Sequence, residues 1–149
     1  MHLCRQLLAL DYTVISVARR LPEWQHPKLN GFQADLLDAA ETRAVAAKIA
    51  NKFDVTHFIH NAGIILPNLI KKAAVDDLQQ LAQLHAGAAL TFVQAFLPAM
   101  KKHHFGRILF NSSRAALGRK HVPPIPIPRQ ACTAWRALGR WNWGHRETR

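Results

Sequence analysis

The feature that most restricts the fold of this chain is an alternation of two residue patterns. Short runs rich in β-branched and aromatic residues recur at 13–19 (TVISVAR), 31–35 (GFQAD), 55–63 (VTHFIHNAG) and 107–113 (RILFNSS), with longer stretches of helical period around them. Short, continuously apolar runs are strands buried on both faces, and strands separated by helices run parallel. The helical stretches are 3–10 (LCRQLLAL, with Leu3, Leu7 and Leu10 on one side), 36–53 (LLDAAETRAVAAKIANKF) and 76–102. The last is expected to be only weakly interrupted by Gly87 and to end near residues 98–100. Together they predict the α/β class, a parallel sheet covered by helices.

Size and composition bound the rest. A chain of 149 residues, 49% of them hydrophobic, suits one globular domain with one core. No run approaches the roughly 18 apolar residues of a membrane span. Met1 leads into HLCRQLLALDY without a basic region or a small-residue cleavage site, so no secretory signal is expected. Cys4 and Cys132 are far apart and belong to no CxxC or Cys/His spacing. A reducing, cytoplasmic setting is expected, with no metal site.

The net charge of +11 would ordinarily point to nucleic acid. Its distribution argues otherwise, because residues 114–149 hold eight Lys/Arg against Glu147 alone. The same tail carries Trp135, Trp141 and Trp143 and half of the prolines: Pro123, Pro124, Pro126 and Pro128. So sharp a shift marks a boundary near residue 120. Nucleic acid is therefore not the expected partner of residues 1–120.

HNAG at the end of a buried strand, a long helix containing FVQAFLPAM, then GRILFNSS, together resemble the short-chain dehydrogenase/reductase family over residues 2–120. The resemblance implies a Rossmann-type, doubly wound parallel sheet of three α/β/α layers that binds a nicotinamide dinucleotide along the carboxyl ends of its strands. It also implies small-molecule carbonyl or alcohol substrates. Family members assemble as dimers or tetramers through the helices matching 36–53 and 76–102, an assembly expected to be doubtful for this chain.

Individual residues carry over one at a time. Arg19 and Arg20 follow a strand where, in the family, arginines take the 2′-phosphate of NADP and an acid takes the ribose of NAD. NADP is thus the expected cofactor, with NAD the alternative; a solvated pair at a strand end is the plainer reading. Asp35 matches a carboxylate that accepts from the adenine amino group, with Leu36 near the ring. Asp35 could equally cap the following helix. Asn61, Ala62 and Gly63 match the end of the family's Asn-Asn-Ala-Gly turn, in which the Asn side chain ties adjacent strands; His60 replaces the first Asn. His85 stands where the family has an Asn of a proton relay, and a structural role for this helix histidine is the alternative. Ser113, the second of the Ser112–Ser113 pair, matches the catalytic serine that hydrogen-bonds the substrate carbonyl.

Two family parts are not found. The Gly-rich turn before the first helix, whose backbone approaches the pyrophosphate, has no counterpart. The chain is expected to start inside that helix, leaving the first, central strand missing. A Tyr-x-x-x-Lys pair is expected roughly a dozen residues after Ser113 as acid/base and its cationic partner, yet the one tyrosine is Tyr12. The tail offers an explanation. Codons compatible with residues 121–144, read from the third base of His121, permit Arg-Thr-Ala-Tyr-Ser-x-Thr-Lys-Ala-Gly, two variable positions, then Gly-Met-Ala-Arg-Thr-Trp-Ala-Leu-Glu-Leu-Gly. Several letters are choices among degenerate codons, but Trp141–Asn142 and Trp143–Gly144 permit only Glu and Gly. Residues 121–149 are thus expected to be an out-of-frame reading of the family's catalytic helix. The expectation for the whole chain is an inactive fragment of an NAD(P)-dependent oxidoreductase. The alternative is a non-catalytic remnant, or a basic module that binds nucleic acid or a partner through its tail.

Overall fold

The computed structural model describes residues 2–64 and 74–111. Ser112, Ser113 and the tail of residues 121–149 lie outside the described residues. The order is α1 (His2–Ala9), β1 (Val14–Ala18), β2 (Leu29–Gln33), α2 (Ala39–Lys52), β3 (His57–His60), α3 (Val75–Ala82), a π-turn (Gln83–Gly87), α4 (Ala88–Lys102) and β4 (Arg107–Phe110).

All four strands pair in parallel, as the alternation predicts, but in two separate pairs. Val14 aligns with Leu29 and Ala18 with Gln33 in the β1–β2 pair; His57 aligns with Arg107 and His60 with Phe110 in the β3–β4 pair. Among the described residues no ladder joins β1 to β3. The hydrogen bonds show which way each edge faces. Val14 donates to Lys28 O, and Ala18 O accepts from Ala34 N. In a parallel ladder every second residue bonds to one neighbour, so Val14, Ser16 and Ala18 address β2 while Ile15 and Val17 face away. Likewise Thr56 O and His60 O accept from Arg107 N and Asn111 N. His57 and Ile59 therefore face away from β4. Among the described residues β1 and β3 are thus left unjoined.

The helices bridge that break. In α2 Thr42, Val45, Ala46 and Ile49 form the buried stripe, and in α4 Ala88, Phe92, Phe96 and Met100 recur every four residues. The alanines let the two helices approach, and these residues share one core with Ala34, Leu36 and Leu84. Phe32 of β2 meets Phe53 edge-on at 6.3 Å, while Phe58 of β3 lies 5.8 Å from Phe92 and 6.0 Å from Phe96. Each strand pair thus hangs from its own helix.

Two expectations are corrected. The 36–53 helix starts at Ala39, because Asp38 is its N-cap and Leu36 turns into the core first. The last long helix does not end near 98–100 but runs to Lys102. Pro98 and Gln94 are both exposed, so water can serve the Gln94 carbonyl that Pro98 cannot donate to, while Phe96 and Met100 keep the next turn buried. The real interruption comes earlier, in the π-turn before α4. There Ala88 N–H reaches back five residues to Gln83 O.

Ile49 is 1% exposed at the centre of this shared core. Ile49→Ala is expected to lower unfolding stability by about 2–5 kcal/mol, measured by urea titration followed by circular dichroism. A change under about 0.5 kcal/mol, the size typical of surface positions, would show that the two strand pairs do not depend on this core.

Candidate functional site

Three strand ends converge on one cleft of about 100 Å³. Ala18 and Arg19 come from the end of β1, Ala34, Asp35, Leu36 and Leu37 follow β2, and Gly63 and Ile64 follow β3; Leu84 of the π-turn completes the lining. The carboxyl ends of the strands therefore share one edge, the usual ligand crevice of an open parallel sheet. A larger, open groove of about 680 Å³ runs along β2 beside Lys48 and Lys52 and shares Ala34 with this cleft.

The segment after β2 is ordered by its own hydrogen bonds. Asp38 Oδ1 accepts from Ala40 N at 2.7 Å and Glu41 N at 3.0 Å. Glu41 reaches back, its Oε2 accepting from Asp35 N at 2.6 Å. This is a capping box displaced by one turn of loop. The N-cap reading of Asp35 is thereby corrected: Asp38 fills that role, and Asp35 Oδ1 instead accepts from Leu37 N at 3.0 Å. From the helical side, Gln83 Nε2 donates to Leu36 O at 3.4 Å. A Cβ on Gly87 would come within 2.5 Å of Gln83 Oε1, so the glycine gives that side chain its room.

The turn after β3 is tied on two sides. Asn61 Oδ1 accepts from Asn111 Nδ2 at 2.6 Å, linking the ends of β3 and β4. His60 Nε2 lies 3.1 Å from Leu84 O, and His85 Nε2 lies 3.3 Å from Ile64 O. Both rings are buried, at 5% and 3% exposure.

Of the residues singled out from sequence, Arg19, Asp35, Leu36 and Gly63 meet at the cleft. Arg20 is exposed and does not line it; Ala62 packs against the core, and Asn61 is spent on Asn111. His85 is close by but directs its Nε2 to a backbone carbonyl. Among the described residues Arg19 has no ion-pair partner, and no cluster of His, Cys, Asp and Glu could hold a metal. No helix among them is long and apolar enough to cross a membrane. Sequence reasoning passed over Gln83 and Glu41. Glu41 had a signal, Asp three residues before Glu; Gln83 had none.

The family model for short chain dehydrogenases matches residues 1–124. The chain belongs to the short-chain dehydrogenase family. A protein of Beutenbergia cavernae, assigned as an NAD(P)-dependent gluconate 5-dehydrogenase and containing NADP, is 26% identical, with a TM-score of 0.66 over 74% of this chain and 45% of its own. A short-chain dehydrogenase of Leptospira borgpetersenii with bound NAD+ shares the fold at a TM-score of 0.81 over 94% of this chain and 59% of its own, at 15% identity. The peroxisomal multifunctional enzyme type 2 of Drosophila melanogaster is 28% identical over 82 residues, 55% of this chain. The short-chain dehydrogenase chain described here spans 13% of that protein and less than half of the Beutenbergia one.

The cleft's loop makes one pH dependence testable. The backbone N–H groups of Glu41 and then Ala40 hold the Asp38 carboxyl below its ordinary value of 3.8. A depressed carboxyl stabilises the fold above that value, and the contribution is lost as pH falls through the lower folded pKa. Asp38→Asn keeps an acceptor for the cap but removes the titration. The stability gap between the parent chain and Asp38→Asn is expected to shrink as pH is lowered from neutrality to below 3.8. Thermal melts across that range check this; a gap independent of pH would show that the cap does not titrate.

Proposed function

We propose that residues 1–120 form the adenosine-binding half of an oxidoreductase that moves hydride between NADP(H) and a carbonyl or secondary alcohol. The observation that carries this is Arg19, a cation on the rim of the strand-end cleft with no carboxylate partner among the described residues. Such a group suits the 2′-phosphate that distinguishes NADP from NAD. The donor set around it also fits an adenosine. Asp35 offers a carboxylate for an exocyclic amine, Leu36 and Ile64 offer apolar walls, and Gly63 keeps the approach free of a side chain. NADP in the Beutenbergia protein, and NADPH with L-sorbose in the sorbose reductase of Gluconobacter frateurii (20% identical, TM-score 0.70 over 83% of this chain and 52% of its own), support the same reading. When bound, the dinucleotide supplies the hydride from its nicotinamide C4; the chain binds, orients and excludes water. Ser113 would hold the substrate carbonyl.

The chain as written carries no tyrosine after Tyr12. We infer that it does not turn over, and that residues 121–149 are the catalytic helix read out of frame. The support is the run of family letters that the shifted codons permit in the right order and at the right distance from Ser113. The setting inferred is cytoplasmic.

Two measurements follow. Calorimetric titration of the 149-residue chain is expected to show NADP+ binding about tenfold tighter than NAD+, as one charge-assisted hydrogen bond of about 1.5–3 kcal/mol implies. Arg19→Asp should erase that difference. Equal binding of both dinucleotides by the parent chain would leave the arginine a solvated strand end, and salt-dependent RNA binding without dinucleotide binding would favour the basic-module reading.

In the second, the chain mixed with NADPH and a panel of ketones and aldehydes should oxidise no NADPH above background, since a missing acid/base costs about 10²–10⁴-fold. Steady turnover by the purified chain would sink this inference. Sequencing of the coding DNA around codon 121 tests the frame directly.

A further inference from the structure

We propose that His60 and His85 are positioning residues, a reciprocal clasp that fixes two walls of the strand-end cleft against each other and so sets its affinity for an adenosine 2′-phosphate. The inference rests on the nucleotide reading of that cleft.

The clasp follows from where the two histidines stand. His60 is the last residue of β3, and His85 is the middle residue of the π-turn. Each reaches across the junction to the other's segment. His60 Nε2 meets the carbonyl of Leu84, next to His85, and His85 Nε2 meets the carbonyl of Ile64, just beyond the turn that His60 opens. A carbonyl oxygen only accepts, so each Nε2 must carry a proton. A π-turn interrupts the regular helical ladder, so its carbonyls can be met by side chains; His60 takes that of Leu84. The His60 ring is itself held, at 6.0 Å from both Phe58 and Phe110.

The two acceptors are what connect the clasp to binding. Ile64 and Leu84 both line the cleft, together with Arg19 and Asp35. With no strand joining β1 to β3 among the described residues, the distance between the β3 side and the β2 side of the cleft rests on the helical layer. The clasp binds the β3 turn to that layer, and Gln83, one residue before Leu84, binds the layer to Leu36 on the β2 side. The histidines therefore act on the ligand through Ile64 and Leu84, without touching it.

The test uses the 149-residue chain and adenosine 2′,5′-bisphosphate, with affinity read by calorimetry and folding by circular dichroism. His60→Leu and His85→Leu are each expected to weaken binding about tenfold, and the double variant no more than either, because two bonds across one junction act as a unit. His60→Gln and His85→Gln, whose amide nitrogen can replace the Nε2 donor, should bind like the parent chain. Folded Leu variants with parental affinity overturn the clasp while leaving the nucleotide reading intact. No binding by the parent chain overturns the nucleotide reading, and the proposal with it. Should the Leu variants fail to fold, the Gln variants and the histidine nitrogen spectra of the parent chain decide. Two Nε2–H imidazoles whose signals move when the bisphosphate is added support the clasp. An Nδ1–H tautomer at either residue, or folded Gln variants that have lost affinity, overturns it.

Discussion

The packing of α2 on α4 is the contact on which the other parts depend. Ordinarily a parallel sheet is continuous, and its helices only cover it. Here the ladder is broken between β1 and β3, so no backbone bond carries force from one strand pair to the other among the described residues. What remains is side-chain burial. Ile49, Phe92, Phe96 and Met100 are each less than 5% exposed, and burying a side chain of that size is worth about 1.5–3 kcal/mol. A few such residues exceed what any single pair of strands could contribute by hydrogen bonds of about 1 kcal/mol net. Near the amino ends of the strands, the Tyr12 and His57 rings, 5.6 Å apart and edge-on, add one contact across the break.

A cleft assembled in this way inherits its precision from the helices. Arg19, Asp35 and Gly63 sit on three different strand ends, and none of those ends touches another through a ladder except within its own pair. The loop after β2 is held at one end by the Asp38–Glu41 box and at the other by Gln83. The turn after β3 is held to β4 by Asn61 and Asn111. The residues that line the cleft are thus positioned by polar bonds from Glu41, Gln83, Asn61 and Asn111, which do not line it.

This division explains what was legible in the sequence. The strands were, because β-branched runs flanked by helical periods have few other solutions, and all four begin within two residues of their expected starts. The stripe of Ala88, Phe92, Phe96 and Met100 was legible for the same reason. Local exceptions were not. A helix survives Pro98 only because the carbonyl it leaves unpaired faces water, and exposure is a tertiary fact. Leu36 fits the helical period but leaves the helix to enter the core, a choice fixed by the cap at Asp38. Gln83 carries no motif, since any residue with an amide at that height could reach Leu36 O. At the cleft, position after a strand identified Arg19, Asp35 and Gly63, but it could not separate Arg19 from Arg20. Both are exposed, and which of two adjacent residues reaches the cleft rim depends on where β1 stops.

The histidines show how two departures from a family pattern can be one. Residues 60 and 85 are the two places where the resemblance expects asparagine and this chain has an imidazole. Taken singly, each replaces a short amide by a longer, ring-shaped donor in a buried site, where an unsatisfied polar group costs about 1–3 kcal/mol. Taken together they satisfy each other's surroundings. The greater reach of His60 finds the carbonyl beside His85, and that of His85 finds the carbonyl beyond His60's turn. The π-turn belongs to the same arrangement, because Leu84, whose carbonyl His60 meets, is its second residue. Both bonds tie the same two segments, so the pair is better understood as one feature of the junction than as two substitutions.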